Sequence, residues 1–186
     1  MTPKWTRLPN GKACDGEKMR YHNITKDDML NGDGLRVVLW VAGCGHACPG
    51  CHNPITWDPA GGLPFDEAAK DELFRELRKD YVSGVTFSGG DPLFPANREK
   101  VGALASEIRE RFPDKTIWLY TGYKWEEVRK LPAVLLSDVV VDGRFVEAIA
   151  DPLLLWRGSE NQRVIDVQKT RGLGQIVLYP EPRYDC

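Results

Sequence analysis

The amino-acid sequence predicts a single α/β domain built around a parallel sheet. Three observations support this fold class. Four short apolar runs have the β-branched composition of buried strands, amphipathic helical patterns separate these runs, and the length of 186 residues suits one domain with its own core. Because strands and helices alternate along the chain, right-handed crossovers would place the strands parallel to one another.

The first two predicted strands flank the first predicted helix. RVVLWVA, residues 36–42, is almost continuously apolar, which is typical of a strand covered on both faces. FDEAAKDELFRELRKDY, residues 65–81, then predicts a helix with one buried face. Its apolar positions recur every four residues, at Phe65, Ala69, Leu73, Leu77 and Tyr81. GVTFSGG, residues 84–90, is the second strand and ends in a glycine turn.

The next helix and strand continue the alternation. NREKVGALASEIRERF, residues 97–112, predicts a helix with Asn97 as its N-cap. The apolar face of this helix comprises Val101, Leu104, Ala105, Ile108 and Phe112. KTIWLYTG, residues 115–122, predicts the third strand and also ends in a glycine.

Three further elements complete the predicted order. KWEEVRKL, residues 124–131, predicts a shorter helix, and LLSDVVVDG, residues 135–143, predicts the fourth strand. QIVLYP, residues 175–180, predicts an additional edge strand that Pro180 ends. Residues 1–20, rich in Pro, Gly and charge, predict an N-terminal extension to a domain formed by residues 21–186.

Composition and charge narrow the class of protein. The chain has 42% hydrophobic and 28% charged residues and a net charge of −2, which argues against non-specific binding to nucleic acid and favours a protein or small-molecule partner. The longest apolar run is interrupted by Arg36 and by glycines, so no membrane helix is expected. The N-terminus lacks the apolar centre of a signal peptide, and we therefore expect a cytoplasmic protein.

Three of the five cysteines stand close together after the first strand. Cys44, Cys48 and Cys51 have the spacing CxxxCxxC, which with an odd total makes a poor disulfide framework. Thiolates are soft ligands that select zinc or iron and sulfur. The spacing favours an iron-sulfur cluster, in which three cysteines would leave one iron of four open to a small molecule.

Two alternatives to a cluster remain open at this point. A structural zinc site needs a fourth ligand. The available side chains are His46, His52, Cys14 and Cys186. Three buried free cysteines with no metal are the other alternative, and they require the spacing to be a coincidence.

The segment SGGDP, residues 88–92, follows the second strand, one crossover from the cysteine loop. Gly89 and Gly90 permit positive φ and a close backbone approach, so their amide and carbonyl groups can meet the polar ends of a ligand. An ordinary strand-end turn is the alternative. Since the carboxyl ends of parallel strands meet at one edge of a sheet, we expect both motifs to lie there.

Two further segments are expected at the same edge. Asp142 and Gly143 end the fourth strand and are candidates for contact with a ligand or partner. WRGSENQR, residues 156–163, is polar and broken by glycine, which predicts a loop at the surface or beside the site. YTGY, residues 120–123, ends the third strand, and its aromatic rings favour a packing role.

These motifs together resemble a known enzyme family. CxxxCxxC directly after a strand, with SGGDP at the end of the next strand, is similar to the radical S-adenosylmethionine superfamily. Three longer segments resemble the activating enzymes of the anaerobic (class III) ribonucleotide reductase. They are NGDGLRVVLWVAGCGHACPGCHNPITW, VTFSGGDPLFPAN and VVDGRFVEAIADPLLLWRGSENQRVID. The resemblance runs from about Tyr21 to Asp166, most of the chain.

The resemblance implies a fold, a cofactor and a reaction. The fold would be an open partial (β/α) barrel with a parallel sheet, of the radical S-adenosylmethionine type. Cys44, Cys48 and Cys51 would ligate three irons of a [4Fe-4S] cluster, and S-adenosylmethionine would chelate the fourth. Its reductive cleavage would yield a 5'-deoxyadenosyl radical that takes a hydrogen from a glycine of the reductase. The cofactors carry this chemistry, so no catalytic side chain is expected.

The resemblance also implies contacts and partners. Gly50, Cys51 and His52 would lie against the nucleoside, where the family often has a tyrosine in place of His52. Gly89, Gly90 and Asp91 would form the site of the methionine part, with Asp91 in place of the superfamily's usual glutamate. His46 is interpreted as a supporting or solvent-facing residue. The implied partners are the large subunit of the anaerobic reductase, as protein substrate, and a flavodoxin- or ferredoxin-like electron donor.

Two alternative functions follow from the same motifs. One is another small radical S-adenosylmethionine enzyme, such as a different glycyl radical activase or a deazaguanine synthase-like enzyme. The other is a zinc-binding structural or adaptor module that uses the same cysteine loop. The metal in the purified protein separates the second alternative from the first.

Overall fold

A computed structural model describes residues 19–181 of the chain. Seven strands lie in one sheet: β1 Arg20–Asp28, β2 Arg36–Val41, β3 Leu63–Pro64, β4 Gly84–Gly89, β5 Thr116–Tyr120, β6 Val139–Asp142 and β7 Arg163–Asp166. Five α-helices accompany them: α1 Glu67–Leu77, α2 Arg98–Arg111, α3 Trp125–Val128, α4 Pro132–Leu135 and α5 Val167–Leu173. Cys14, Cys186 and residues 1–18 of the predicted extension lie outside the described residues.

The sheet has the order β3-β1-β2-β4-β5-β6-β7 and is mixed. Its four central strands, β2, β4, β5 and β6, are the four predicted strands, and each pairs in parallel with the next. The prediction of a parallel α/β sheet is therefore confirmed for the centre. β1, β3 and β7 pair antiparallel with their neighbours, and the sheet is not closed on itself.

Both faces of the central strands are buried, as the apolar run of β2 predicts. On one face, Val37, Leu39 and Val41 pack against the helices in the larger hydrophobic core. On the other face, Trp118, Val141 and their neighbours form a smaller core that the loop residue Trp156 covers. A strand buried on both sides has no need of alternating polarity, which explains the continuous apolar sequence.

Helix α1 buries most of its predicted apolar face but ends earlier than the sequence predicted. In α1, Ala69, Leu73 and Leu77 are buried, but the helix ends at Leu77 and Tyr81 beyond it is exposed. Asp66 begins this helix, and its side chain accepts a hydrogen bond from the amide of Ala69 at 3.0 Å.

Helix α2 corrects one prediction. Asn97 occupies the N-cap position, but its side chain makes no capping hydrogen bond. The side-chain amide instead donates to the carbonyl of Ala42 at 2.9 Å and to that of Asp91 at 3.1 Å. The side chain that the local sequence pattern assigned to capping α2 thus binds backbone carbonyls elsewhere in the fold.

Other elements differ from the sequence predictions. The third predicted helix, residues 124–131, is shortened to α3, and a further short helix that was not predicted, α4, begins at Pro132. The predicted strand at 175–180 is reduced to a single bridge between Ile165 and Leu178. β7 takes the edge position instead. None of the helices in residues 19–181 combines the length and the apolar character needed to cross a membrane.

Candidate functional site

The predicted motifs meet at the carboxyl edge of the four parallel strands. The cysteine loop, residues 43–53, follows β2, and SGGDP follows β4 on the neighbouring strand. Backbone hydrogen bonds of 2.8 Å join them, from the amide of Gly90 to the carbonyl of Val41 and from the amide of Asp91 to that of Gly43. These bonds hold the segments that follow two adjacent parallel strands side by side.

Cys44, Cys48 and Cys51 are free and partly buried. The amide of His46 donates to Sγ of Cys44 at 3.5 Å, and the amide of Asn53 donates to Sγ of Cys51 at 3.4 Å. Backbone donors of this kind suit a sulfur that carries negative charge when it binds a metal.

Burial affects the ionisation of Cys44 and Cys48. It raises the pKa of Cys44 to about 11, and the nearby Asp91 carboxylate acts in the same direction. Burial also raises the pKa of Cys48. Without a cation, Cys44 and Cys48 are therefore neutral near pH 7, whereas a bound metal centre reverses this preference because it stabilises thiolate.

The donor set fits an iron-sulfur cluster chemically. Iron-sulfur clusters are bound by cysteine thiolates, and one short loop provides three of them here. Within the part of the chain that the structure describes, no three His, Cys, Asp or Glu side chains converge on one point where a single metal ion would sit. A cluster makes a different demand, since each thiolate binds its own iron.

The glycines predicted at the site have steric reasons within the chain itself. Gly89 has φ +105°, and a Cβ there would lie 2.6 Å from the amide nitrogen of Val41. A Cβ on Gly90 would lie 2.5 Å from the carbonyl oxygen of Gly43. The amide of Gly90 is already bonded to Val41, so it is not left for a ligand.

Gly50 and His52 contact residues after β6 to which the sequence analysis assigned no individual role. A Cβ on Gly50, which has φ +68°, would lie 2.7 Å from Cδ of Glu147. The exposed ring of His52 lies 5.2 Å from that of Phe145. The segment after β6 therefore flanks the cysteine loop, and only its position after a parallel strand could have indicated this.

Asp91 is buried beneath the loop. Its side chain is 1% exposed, and its carboxylate accepts a hydrogen bond from Nε2 of His46 at 2.8 Å. It also accepts from the amide of Gly122 and from the hydroxyl of Thr121, each at 3.0 Å. Of the two interpretations of His46, the structure supports the supporting role, because its side chain is 7% exposed.

The end of β6 is braced from within the chain. Asp142 is buried and accepts hydrogen bonds from the amide of Trp125 at 2.7 Å and from Nε of Arg163 at 2.9 Å. The side-chain amide of Gln162 donates to the carbonyl of Gly143 at 3.0 Å. The predicted polar loop at 156–163 thus supports the end of β6. The carboxylate of Asp142 is hydrogen-bonded to partners within the chain.

Comparison with known proteins follows the same residues. A family model described as a 4Fe-4S single cluster domain matches residues 30–165, most of the chain. Three relatives are called anaerobic ribonucleoside-triphosphate reductase-activating protein. That of Enterobacteria phage T4 is 45% identical over 146 residues, 78% of this chain and 93% of the relative. That of Escherichia coli K12 is 43% identical over 150 residues, 78% and 97%. That of Haemophilus influenzae is 40% identical over 148 residues, 77% and 96%.

Proposed function

The chain belongs to the family of anaerobic ribonucleoside-triphosphate reductase-activating proteins, and we propose that it cleaves S-adenosylmethionine reductively and generates a glycyl radical on an anaerobic ribonucleotide reductase. One observation carries this proposal. Three free thiols lie on one loop at the carboxyl edge of the sheet, inside the region that the 4Fe-4S family model matches.

Cys44, Cys48 and Cys51 would hold the [4Fe-4S] cluster. When bound, the cluster would supply the electron that cleaves the sulfonium of S-adenosylmethionine. The chain supports the cysteines with amide donors to two of the sulfurs and fixes both ends of their loop. The amides of Gly43 and Cys44 donate to the carbonyls of Thr56 and Trp57 at 2.8 and 3.1 Å.

S-adenosylmethionine would lie between the cysteine loop and the end of β4. Gly50, Cys51 and His52 are assigned to the nucleoside, where the exposed ring of His52 is available for stacking on adenine. Gly89 and Gly90 are assigned to the methionine part, which would meet the backbone at the end of β4. Asp91 belongs to the same site as a support beneath it, since its carboxylate is already occupied.

The fold is assigned to the open partial (β/α) barrel of the radical S-adenosylmethionine type. The connectivity supports this assignment, because three crossovers join β2, β4, β5 and β6 as successive parallel neighbours. The buried second face, with Trp118 and Arg36 on it, would be the inside of such a barrel. We further assign the domain to residues 21–186 and the protein to the cytoplasm.

The protein substrate would approach the rim formed by the cysteine loop and the segment after β6. Ile55, directly after the loop, is 72% exposed, and Val146 and Ile149 are each 39% exposed. Apolar side chains left in water at the edge of a site favour contact with a protein. A flavodoxin- or ferredoxin-like protein would supply the electron.

Anaerobic reconstitution tests the function. Iron-loaded protein with reductant and S-adenosylmethionine should release 5'-deoxyadenosine, and adding the reductase should give the doublet of a glycyl radical in electron paramagnetic resonance. Release of 5'-deoxyadenosine with no doublet would favour another small radical S-adenosylmethionine enzyme. Colourless protein with stoichiometric zinc would end the proposal.

Single cysteine changes test the ligand set. Cys44→Ala, Cys48→Ala and Cys51→Ala should each abolish 5'-deoxyadenosine formation, since each thiolate binds a separate iron. Cys14→Ala and Cys186→Ala are the matched controls and should keep both iron and activity. Full activity in any of the first three would remove that residue from the ligand set.

A further inference from the structure

His46 connects the middle of the cysteine loop to the end of β4. Its Nε2 donates to Oδ2 of Asp91 at 2.8 Å, and both side chains are buried, with 7% and 1% exposed. The two residues are 45 positions apart in sequence. The hydrogen bond therefore joins two motifs that meet only in the folded chain.

The carboxylate of Asp91 is held by donors from several segments. Oδ1 accepts from the amide of Leu93 at 2.8 Å and from the hydroxyl of Thr121 at 3.0 Å. Oδ2 accepts from the amide of Gly122 at 3.0 Å in addition to His46. A buried carboxylate is stable only when donors surround it, and this arrangement fixes the direction in which it faces His46.

The ring of His46 is also fitted sterically. Gly122 makes room for it, since a Cβ at that position would lie 2.4 Å from Cδ2 of His46. The ring of Tyr123 packs edge-on against it at 4.6 Å. The guanidinium of Arg98 lies 5.1 Å from the Tyr123 ring. Packing and hydrogen bonding together hold the imidazole in one orientation.

We infer that Asp91 and His46 form a positioning pair that sets the path of the loop between Cys44 and Cys48. Asp91, fixed at the end of β4 and by the residues after β5, holds His46, and His46 holds the loop. Neither side chain contacts S-adenosylmethionine in this role. The inference rests on the proposed function in one respect, because it takes the cysteines to be cluster ligands.

Two changes at position 46 test the pair. His46→Leu keeps apolar bulk against Tyr123 but removes the donor, whereas His46→Gln keeps a side-chain N–H that reaches the same carboxylate. The rate of iron loss to a chelator is measured on anaerobically reconstituted protein. We expect about tenfold faster loss for His46→Leu, since a hydrogen bond to a charged group is removed, and a rate near wild type for His46→Gln. Equal rates for His46→Leu and wild type would overturn the inference.

A double-mutant cycle tests whether the two residues act together. Asp91→Asn and the double variant Asp91→Asn/His46→Leu are compared with the single changes by the same chelation rate. Members of one pair should be non-additive, so the double variant should lose iron no faster than the worse single variant. Fully additive effects would overturn the pair. If Asp91→Asn does not fold, the two changes at position 46 still decide.

Binding of S-adenosylmethionine separates positioning from direct contact. With loaded protein, a raised KM in Asp91→Asn at an unchanged chelation rate would show that Asp91 touches the ligand, and the inference would be wrong. Failure of the cluster assignment on which the inference rests gives a different result, because the wild-type protein would then bind no iron. If the wild-type protein binds iron and the variants lose it at the wild-type rate, only the positioning pair is overturned.

Discussion

At the residue scale, the junction between the cysteine loop and β4 is a close contact of two backbones. Gly90 is packed so that a Cβ would lie 2.5 Å from the carbonyl oxygen of Gly43 and 2.8 Å from that of Thr56. Both oxygens belong to the backbone, and neither can swing aside as a flexible side chain does. The glycine of SGGDP is thus required by packing before any ligand binds.

Alanine substitutions at two glycines test this requirement. Gly90→Ala should lower the free energy of unfolding by about 2 kcal/mol because it overpacks a backbone contact. Gly172→Ala is the matched control, since its site in α5 has no heavy atom within 4 Å of an added Cβ, and it should raise stability by roughly 0.5–1 kcal/mol. Urea denaturation of the iron-free proteins measures both. Similar effects at the two positions would contradict the steric argument.

Tyr120 presents the opposite case, a buried polar group that finds no hydrogen-bond partner among residues 19–181. Its Oη is buried and makes no hydrogen bond within residues 19–181, and burial raises the pKa of the phenol above 10. Removing a buried donor without a partner relieves a desolvation cost. Tyr120→Phe should therefore raise the free energy of unfolding by about 1 kcal/mol at pH 7.

The pH dependence of Tyr120 gives a second measurement. The unfolded chain loses the phenol proton near the ordinary pKa of 10.0, before the folded chain does. The unfolded state then binds fewer protons, so this residue lowers wild-type stability as the pH rises above 10. The advantage of Tyr120→Phe should widen between pH 7 and pH 10.5 in urea denaturation. A phenylalanine variant less stable than wild type at pH 7 would contradict the assignment.

At the element scale, the pattern of apolar residues predicted those helices and strands that depend on consecutive residues alone. The helical spacing of α1 and α2 and the apolar runs of the four central strands are properties of consecutive residues, and these elements are present. β1 was missed because Ile24 is the one buried residue among its nine, so its sequence shows no apolar alternation. β7 was missed because four residues after a polar loop give too little pattern.

Asn97 shows why a local signal was misassigned. Its place before an amphipathic segment fits a helix cap, yet its amide bridges the carbonyls of Ala42 and Asp91. Those carbonyls leave two neighbouring strands and are buried, so pairing them has priority over capping. Nothing in the sequence around position 97 indicates which pairing wins.

The two residues at helix starts should therefore respond differently. Asp66→Ala removes a cap from α1 and should lower the free energy of unfolding by about 1 kcal/mol without changing the rate of iron loss. Asn97→Ala leaves the buried carbonyl of Ala42 without its donor and removes one of two donors to the carbonyl of Asp91, which keeps the amide of Phe94. It should cost about 2 kcal/mol and also speed iron loss. Urea denaturation and chelation kinetics measure the two effects. Unchanged iron retention in Asn97→Ala would show that its bridge does not support the loop.

At the scale of the whole molecule, the parallel sheet makes the site predictable in part. The sequence placed the cysteines and SGGDP at one edge because carboxyl ends of parallel strands coincide. It did not reveal that Thr121 and Gly122 hold Asp91, or that Phe145 and Glu147 flank the loop. These contacts join residues that follow different strands, and their geometry depends on the twist and packing of the entire sheet.

The same arrangement leaves one edge of the molecule available to a large partner. The rim residue Ile55 follows the cysteine loop, and Ile149 follows Glu147, whose side chain abuts Gly50. Tyr81, 55% exposed, precedes β4 and therefore lies at the opposite, amino edge of the sheet. A protein substrate that presents a glycine to the site must cover the first edge and leave the second free.

Charge placed at each edge distinguishes them. Ile55→Asp and Ile149→Asp should each lower the yield of glycyl radical on the reductase about fivefold or more, because a buried interface contact worth at least 1 kcal/mol is lost. Formation of 5'-deoxyadenosine without the reductase should stay at the wild-type rate, since the cofactor site is untouched. Tyr81→Asp adds the same charge at the other edge and should change neither quantity. Equal losses from Tyr81→Asp and Ile149→Asp would place the reductase elsewhere on the molecule.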